Sequence, residues 1–145
     1  MAHLYRVKVH QEDVDSACIA RPDSYIKFIE RARNDWLGRA DIYPESTPRN
    51  ESPQLGVRRL NAHYSGVAHL GDEITIYTGL GDRPNGSLDV RHVIHIGDEE
   101  IFRADLVLFH LTPKGRIIPL PYKVCRLLER KTAWFDLRGR SGRNA

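Results

Sequence analysis

The chain reads as an α+β protein in which one long helix lies against a curved antiparallel sheet of about five strands. Three observations predict this. A single apolar stripe at helical spacing runs from Tyr25 to Trp36. Most of the chain from Val57 to Leu111 alternates with the two-residue period of strands. Short turns join those later strands, which forces antiparallel pairing. One striped helix needs a surface to bury against, and a curved sheet supplies it.

The elements follow in order. Tyr5, Val7 and Val9 alternate with Arg6, Lys8 and His10, a first strand with one buried face. Pro22 suits a helix start, and Asp23 or Ser24 can cap it. Tyr25, Phe28, Ile29, Ala32 and Trp36 then share a helix face. Lys27, Glu30, Arg31 and Asp35 fall mostly elsewhere, with Arg31 and Asp35 spaced for an exposed ion pair. Gly38 is a natural stop. Residues 39–55 hold three prolines and read as a loop. Strands are predicted at Val57–Tyr64, within Gly71–Leu80, at Leu88–Ile96 and at Ile101–Leu111. Turns fall at Arg83–Gly86, whose Asn-Gly readily takes positive φ, and at Gly97-Asp98. Within the last long strand, LVLFHL is apolar on both faces, as a covered central strand should be. Pro113–Gly115 turns the chain again, and Tyr122–Arg130 reads as a short terminal helix.

At 145 residues and 41% apolar content the chain fits one domain with a packed core. That domain is expected over residues 1–130, with a basic, flexible tail over 131–145. The formal net charge is +3. Arg130, Arg138, Arg140 and Arg143 crowd the C-terminus, so the body is nearly balanced and does not argue for a nucleic-acid binder. No apolar run is long enough for a membrane span. The first residues lack the apolar core of a secretory signal. The two cysteines, Cys18 and Cys125, form no Cys-x-x-Cys pair, so no zinc site or disulfide framework is expected and a cytoplasmic setting is. His92 and His95 on one strand point to opposite faces, which argues against a metal pair. No glycine-rich dinucleotide or phosphate loop is present.

The stretch richest in chemistry is residues 10–37. Asp13 and Asp15 stand between the first strand and the helix. A carboxylate beside a helix N-terminus can serve acid–base or nucleophilic chemistry. Such an aspartate is more often a turn or cap residue, and Asp13 reads as structural or solvated. Cys18 has no histidine nearby to activate it, so an inert, buried thiol is expected. Glu30 reads as an ion-pair partner of a nearby arginine. Tyr25, Phe28 and Trp36 read as core or interface residues before they read as a substrate pocket.

Four motifs in order carry a resemblance. They are Glu12-Asp13-Val14-Asp15 and the helix Ser24-Tyr25…Phe28…Glu30-Arg31-Ala32-Arg33…Trp36-Leu37. To these add Tyr64…Ala68-x-x-Gly71-Asp72 and Gly115-Arg116…Pro119-x-Pro121. Together they span roughly residues 5–125. The pattern resembles the hotdog fold, and within it the 4-hydroxybenzoyl-CoA thioesterase-like acyl-CoA thioesterases. The resemblance implies hydrolysis of an acyl-CoA or acyl-carrier thioester, with Asp15 as general base or nucleophile. It implies backbone N–H donors at the helix N-terminus that polarise the thioester carbonyl, Tyr25 at the substrate, and Arg116 near the CoA phosphates. No separate cofactor is implied, since coenzyme A is part of the substrate. Edge-to-edge pairing into a homodimer or a dimer of dimers is implied, with the active site at the interface. The chain departs from the family where glycine is usual and Cys18 stands. It departs again at Arg21-Pro22: Pro22 occupies the donor position and has no N–H. That moves the donor to Asp23 or Ser24, since a helix N-terminus has several free N–H groups.

Two other classes compete. A hotdog hydratase or dehydratase needs a histidine near the acid, and none lies between Asp15 and Trp36. A non-catalytic acyl-thioester binding protein is the other, motivated by Arg21 and Pro22.

Overall fold

A computed structural model describes residues 3–39, 54–81 and 88–118 of the chain. It shows β1 (His3–Lys8), a single 3-10 turn (Gln11–Asp13), α1 (Pro22–Arg39), β2 (Gln54–Tyr64), β3 (Glu73–Leu80), β4 (Leu88–Ile96), β5 (Glu99–Leu111) and β6 (Ile117–Ile118). The strands form one six-stranded sheet in the order β1-β3-β4-β5-β2, with β6 pairing β5. Every pairing is antiparallel. The expected helix-on-sheet architecture is the observed one. The short β6 was anticipated only as chain leaving a turn. The Arg83–Gly86 turn, most of the 39–55 loop, the terminal helix and the basic tail lie outside the described residues.

The helix packs its stripe on one face of the sheet. Phe28, Ile29, Ala32 and Trp36 meet Ile74, Ile76 and Leu80 of β3, Val90 and Ile94 of β4, and Phe102, Leu106 and Leu108 of β5 in one buried cluster. Each large apolar side chain so buried contributes about 1.5–3 kcal/mol. That sum fixes which face of α1 turns inward.

Several local expectations change. The helix starts at Pro22 itself, with Arg21 as the flanking residue, rather than behind a cap at Asp23 or Ser24. Proline at the first helical position lacks only an N–H that would be orphaned there, and its φ is already helical. Ser24 is buried, and its hydroxyl donates to Asp13 O at 2.7 Å instead of capping. Gly38 does not end the helix, which continues through Arg39. Asp35 does not pair with Arg31: its carboxylate meets His3 Nε2 at 2.8 Å. Cys18 is exposed, not buried.

A polar row crosses the otherwise apolar inner face. His3, Thr78 and His92 are register partners on β1, β3 and β4. Thr78 Oγ1 and His92 Nδ1 share a hydrogen bond of 2.8 Å. Burial pushes the His92 pKa well below its ordinary value, helped by the charges of Arg33 and His3. Buried Arg33 is itself shifted down by desolvation, opposed by Glu30. Glu30 thus acts on Arg33 electrostatically.

Candidate active site

The segment between β1 and α1 is held by its own backbone and by the side chains of Asp13, Asp15, Arg21 and Ser24. Buried Asp13 accepts the His10 N–H on Oδ2 at 2.9 Å. Its carbonyl accepts the Arg21 N–H at 3.0 Å and the Ser24 hydroxyl. Asp13 is therefore structural: it pins the strand exit to the helix start. Arg21 folds back over the same segment. Its guanidinium donates to Glu12 O at 2.8 Å and Val14 O at 3.0 Å, and its Nε lies 3.3 Å from Asp23 Oδ1. An arginine fork can hold two carbonyls at once, which a point-charge lysine does less well.

Asp15 stands at the apex of this segment and is exposed. Its Oδ1 accepts the N–H groups of Ala17 and Ile19 at 2.9 and 3.1 Å. Its backbone N–H donates to Ile19 O at 2.9 Å, and its carbonyl accepts the Cys18 N–H at 3.0 Å. The tight loop so closed puts Cys18 at φ 62°. That is the left-handed region glycine enters freely and other residues seldom do. Oδ1 therefore builds the loop, while Oδ2 takes no bond among the described residues.

A second wall comes from the β2–β3 connection. Ala20 N–H donates to Ala68 O at 2.9 Å and Leu70 N–H to Cys18 O at 3.0 Å, so residues 68–70 run beside 18–20. Ser65 and Gly66 both donate to Ile101 O, at 2.9 and 3.0 Å. A Cβ at Gly66 would lie 2.8 Å from Ile101 Cγ2, so only glycine lets the chain pass this close to β5. Tyr64, Val67 and Leu70 remain exposed along this wall, an apolar lip next to the Asp15 loop.

Tyr25 is 3% exposed. Its ring stacks on Phe102 with centroids 5.4 Å apart, and its hydroxyl accepts the Ala68 N–H at 3.0 Å. It ties α1 to the second wall from inside the core. Tyr64, 50% exposed, lies over the helix start, where its hydroxyl donates to Pro22 O at 2.9 Å. Partial desolvation raises its pKa, helped by Tyr25 and Asp23.

The first helical turn decides the two candidate donors. Arg21 N–H goes to Asp13 O, and Pro22 has no N–H. Ser24 N–H goes to Arg21 O at 2.9 Å. Asp23 N–H has no partner among the described residues. Arg116 lies elsewhere, exposed in the turn after β5, where its N–H donates to Thr112 Oγ1 at 3.0 Å and its carbonyl accepts the Thr112 N–H. Among the described residues no hydrogen bond or ion pair joins it to the Asp15 loop. Asp15 thus stands on the loop that leads into α1, Asp23, Ser24 and Tyr25 lie in the first turn of that helix, and Arg116 lies after β5.

Sequence reasoning assigned no role to Arg21 or Tyr64. Arg21 stands out in the sequence only as a departure from the family's pattern, and its reach to two carbonyls depends on the turn at Asp15. Tyr64 had stood out as part of a motif, but its contact spans 42 positions and no periodicity encodes it.

Among the described residues no three His, Cys, Asp or Glu side chains gather as a metal-ion set. No described helix is long and apolar enough to cross a membrane.

No family model matches the sequence. A curated acyl-CoA thioesterase, YbgC of Helicobacter pylori, is 32% identical over 75 residues, which cover 52% of this chain and 53% of that protein. The chain thus spans about half the length of the curated relatives it matches. Among solved structures, a probable thioesterase from Bartonella henselae superposes with TM-score 0.73 at 21% identity, covering 83% of this chain and 98% of the other. A variant 4-hydroxybenzoyl-CoA thioesterase complexed with 4-hydroxybenzoyl-CoA gives TM-score 0.75 at 19% identity, covering 86% and 96%. At those identities the structural likeness speaks for the fold. The chain therefore has the hotdog fold of these thioesterases, and over half its length it is similar in sequence to curated acyl-CoA thioesterases.

Proposed function

We propose that the protein hydrolyses an acyl-CoA or acyl-carrier thioester to the free acid and the thiol. The observation that carries this reading is the Asp15 carboxylate, exposed on a loop clamped to the start of α1, in a chain similar to curated acyl-CoA thioesterases. Asp15 uses Oδ1 to hold its loop and keeps Oδ2 for the reaction, either drawing a proton from water or attacking the carbonyl itself. Negative charge then grows on the thioester oxygen. Asp23 N–H, without an internal partner and at the positive end of the helix dipole, suits that charge. Asp15 and Asp23 thus hold the reacting end, buried Tyr25 supports the wall behind them, Ser24 braces the turn, and Arg116 serves the CoA phosphates. Coenzyme A enters as part of the substrate, with no separate cofactor.

We also infer a homodimer, or a dimer of dimers, joined along β2. That strand lies at an edge of the sheet and exposes Val57 and Leu60. A long edge strand with exposed apolar residues is a template for pairing. A cytoplasmic setting fits the two-cysteine chain without a Cys-x-x-Cys pair.

The test is a panel of short, long and aromatic acyl-CoAs, with release of free CoA followed for the wild type and Asp15→Asn. Turnover that collapses in the variant supports the reading. No turnover by the wild type, with tight calorimetric binding of an acyl-CoA, would favour a binding protein instead.

A further inference from the structure

We propose that Tyr64 is a positioning residue that aims and strengthens the Asp23 N–H through the Pro22–Asp23 peptide. The inference rests on the thioesterase reading above. Tyr64 Oη donates to Pro22 O at 2.9 Å. That carbonyl and the Asp23 N–H belong to one planar peptide unit and point in opposite directions when it is trans, as every described peptide bond is. A bond that holds the oxygen therefore fixes where the N–H points. It also draws electron density toward the oxygen and makes the N–H a better donor, since linked hydrogen bonds strengthen one another by about 10–30% each.

This matters more here than at an ordinary helix start. Pro22 removes one donor, and Arg21 and Ser24 commit theirs internally. The Asp23 N–H is left open to meet the developing charge. Its direction follows the first turn of α1 and is braced from outside the helix, by a residue at the end of β2. Tyr64 is itself braced: its ring meets Tyr25 edge-on at 5.5 Å and Phe102 at 5.0 Å between centroids. Its raised pKa keeps the phenol a donor through the neutral and mildly alkaline range. Asp15, as base or as nucleophile, then serves the attack on the carbonyl carbon, and Tyr64, through the peptide, serves the charge that grows on its oxygen.

The test uses the acyl-CoA that the wild type turns over fastest. Tyr64→Phe keeps the ring and its packing and removes the donor. Expected is a roughly tenfold fall in kcat with KM held within about twofold, because the lost bond acts on the transition state. A ring-fluorinated tyrosine at position 64, whose phenol is more acidic, restores kcat near neutral pH. It also moves the alkaline fall of kcat to lower pH while the melting temperature over that range stays level. A purely structural hydroxyl would not move that limb. Wild-type kcat in Tyr64→Phe, or an alkaline limb that fluorination leaves in place, overturns the role of Tyr64 while wild-type hydrolysis still stands. Absence of wild-type turnover on every acyl-CoA overturns the thioesterase reading, and this inference with it.

Discussion

At the scale of single residues, Asp15 builds its loop, and the proposed reaction gives it a second role that one substitution can separate from the first. Its Oδ1 accepts two backbone N–H groups, and a carboxamide oxygen can accept the same two. Asp15→Asn is therefore expected to keep the melting temperature and to lower hydrolysis by about 10²–10⁴. Asp15→Ala loses as much rate and about 1 kcal/mol of stability as well, as when a capping oxygen is removed, read from the urea midpoint. The bland reading of Asp15 as a turn residue and the sharp reading as a general base or nucleophile are thus compatible, because each uses a different oxygen. Cys18 offers a second residue-scale prediction. At φ 62° a side chain is strained, and Cys18→Gly relieves that strain. A gain of about 0.5–1 kcal/mol is expected after the greater freedom of glycine in the unfolded chain is subtracted. Cys18→Val is expected to lower stability, since a β-branched residue tolerates positive φ worst. Chemical denaturation of the two variants checks both signs.

At the scale of elements, the contact between α1 and the sheet is apolar except for the row His3, Thr78 and His92 facing Arg33. His92 stays neutral in the folded protein, its pKa pushed down by burial and then by Arg33 and His3. In the unfolded chain it takes a proton near pH 6.5. Its contribution to stability is therefore complete above that pH and is lost as pH falls below it, toward the lower folded pKa. The slope approaches about 1.4 kcal/mol per pH unit for one proton. Buried His110, whose pKa is also lowered by desolvation, adds in the same direction. Urea midpoints from pH 7 to pH 5 should fall, and more shallowly in His92→Gln, whose amide can still meet Thr78. The helix itself was legible from its stripe. Its start was not, because whether Pro22 or Ser24 leads depends on what Asp13 O offers the buried Ser24 hydroxyl.

At the scale of the whole molecule, the sheet order leaves β1 and β2 at its edges. Of the two, β2 spans 11 residues to the 6 of β1. It carries Arg58 and Arg59 beside the exposed Leu60. In a homodimer joined along β2, Leu60→Lys adds like charge to a self-pairing edge and removes apolar contact. Sedimentation should show a wild-type dimer and a variant whose dissociation constant rises at least tenfold, about 1.4 kcal/mol. Activity should fall with the dimer if the site is completed at that interface. A wild-type monomer across the working concentration range would sink the dimer.

The sequence by itself determined the α+β class, the single striped helix, the antiparallel strands and the place of Asp15 at the strand exit. Those features are written in short-range periodicity and turn residues, which act over a few positions. The family resemblance rode on the same local motifs. Only the tertiary structure decided which N–H of the helix start stays open, that Arg21 clamps two carbonyls, that Asp35 turns to His3 rather than Arg31, and that Tyr64 reaches Pro22. Each of these is a hydrogen bond or ion pair whose partner is chosen by where the chain returns in space. A local pattern fixes which face of an element is apolar, but the geometry between elements fixes which polar groups meet.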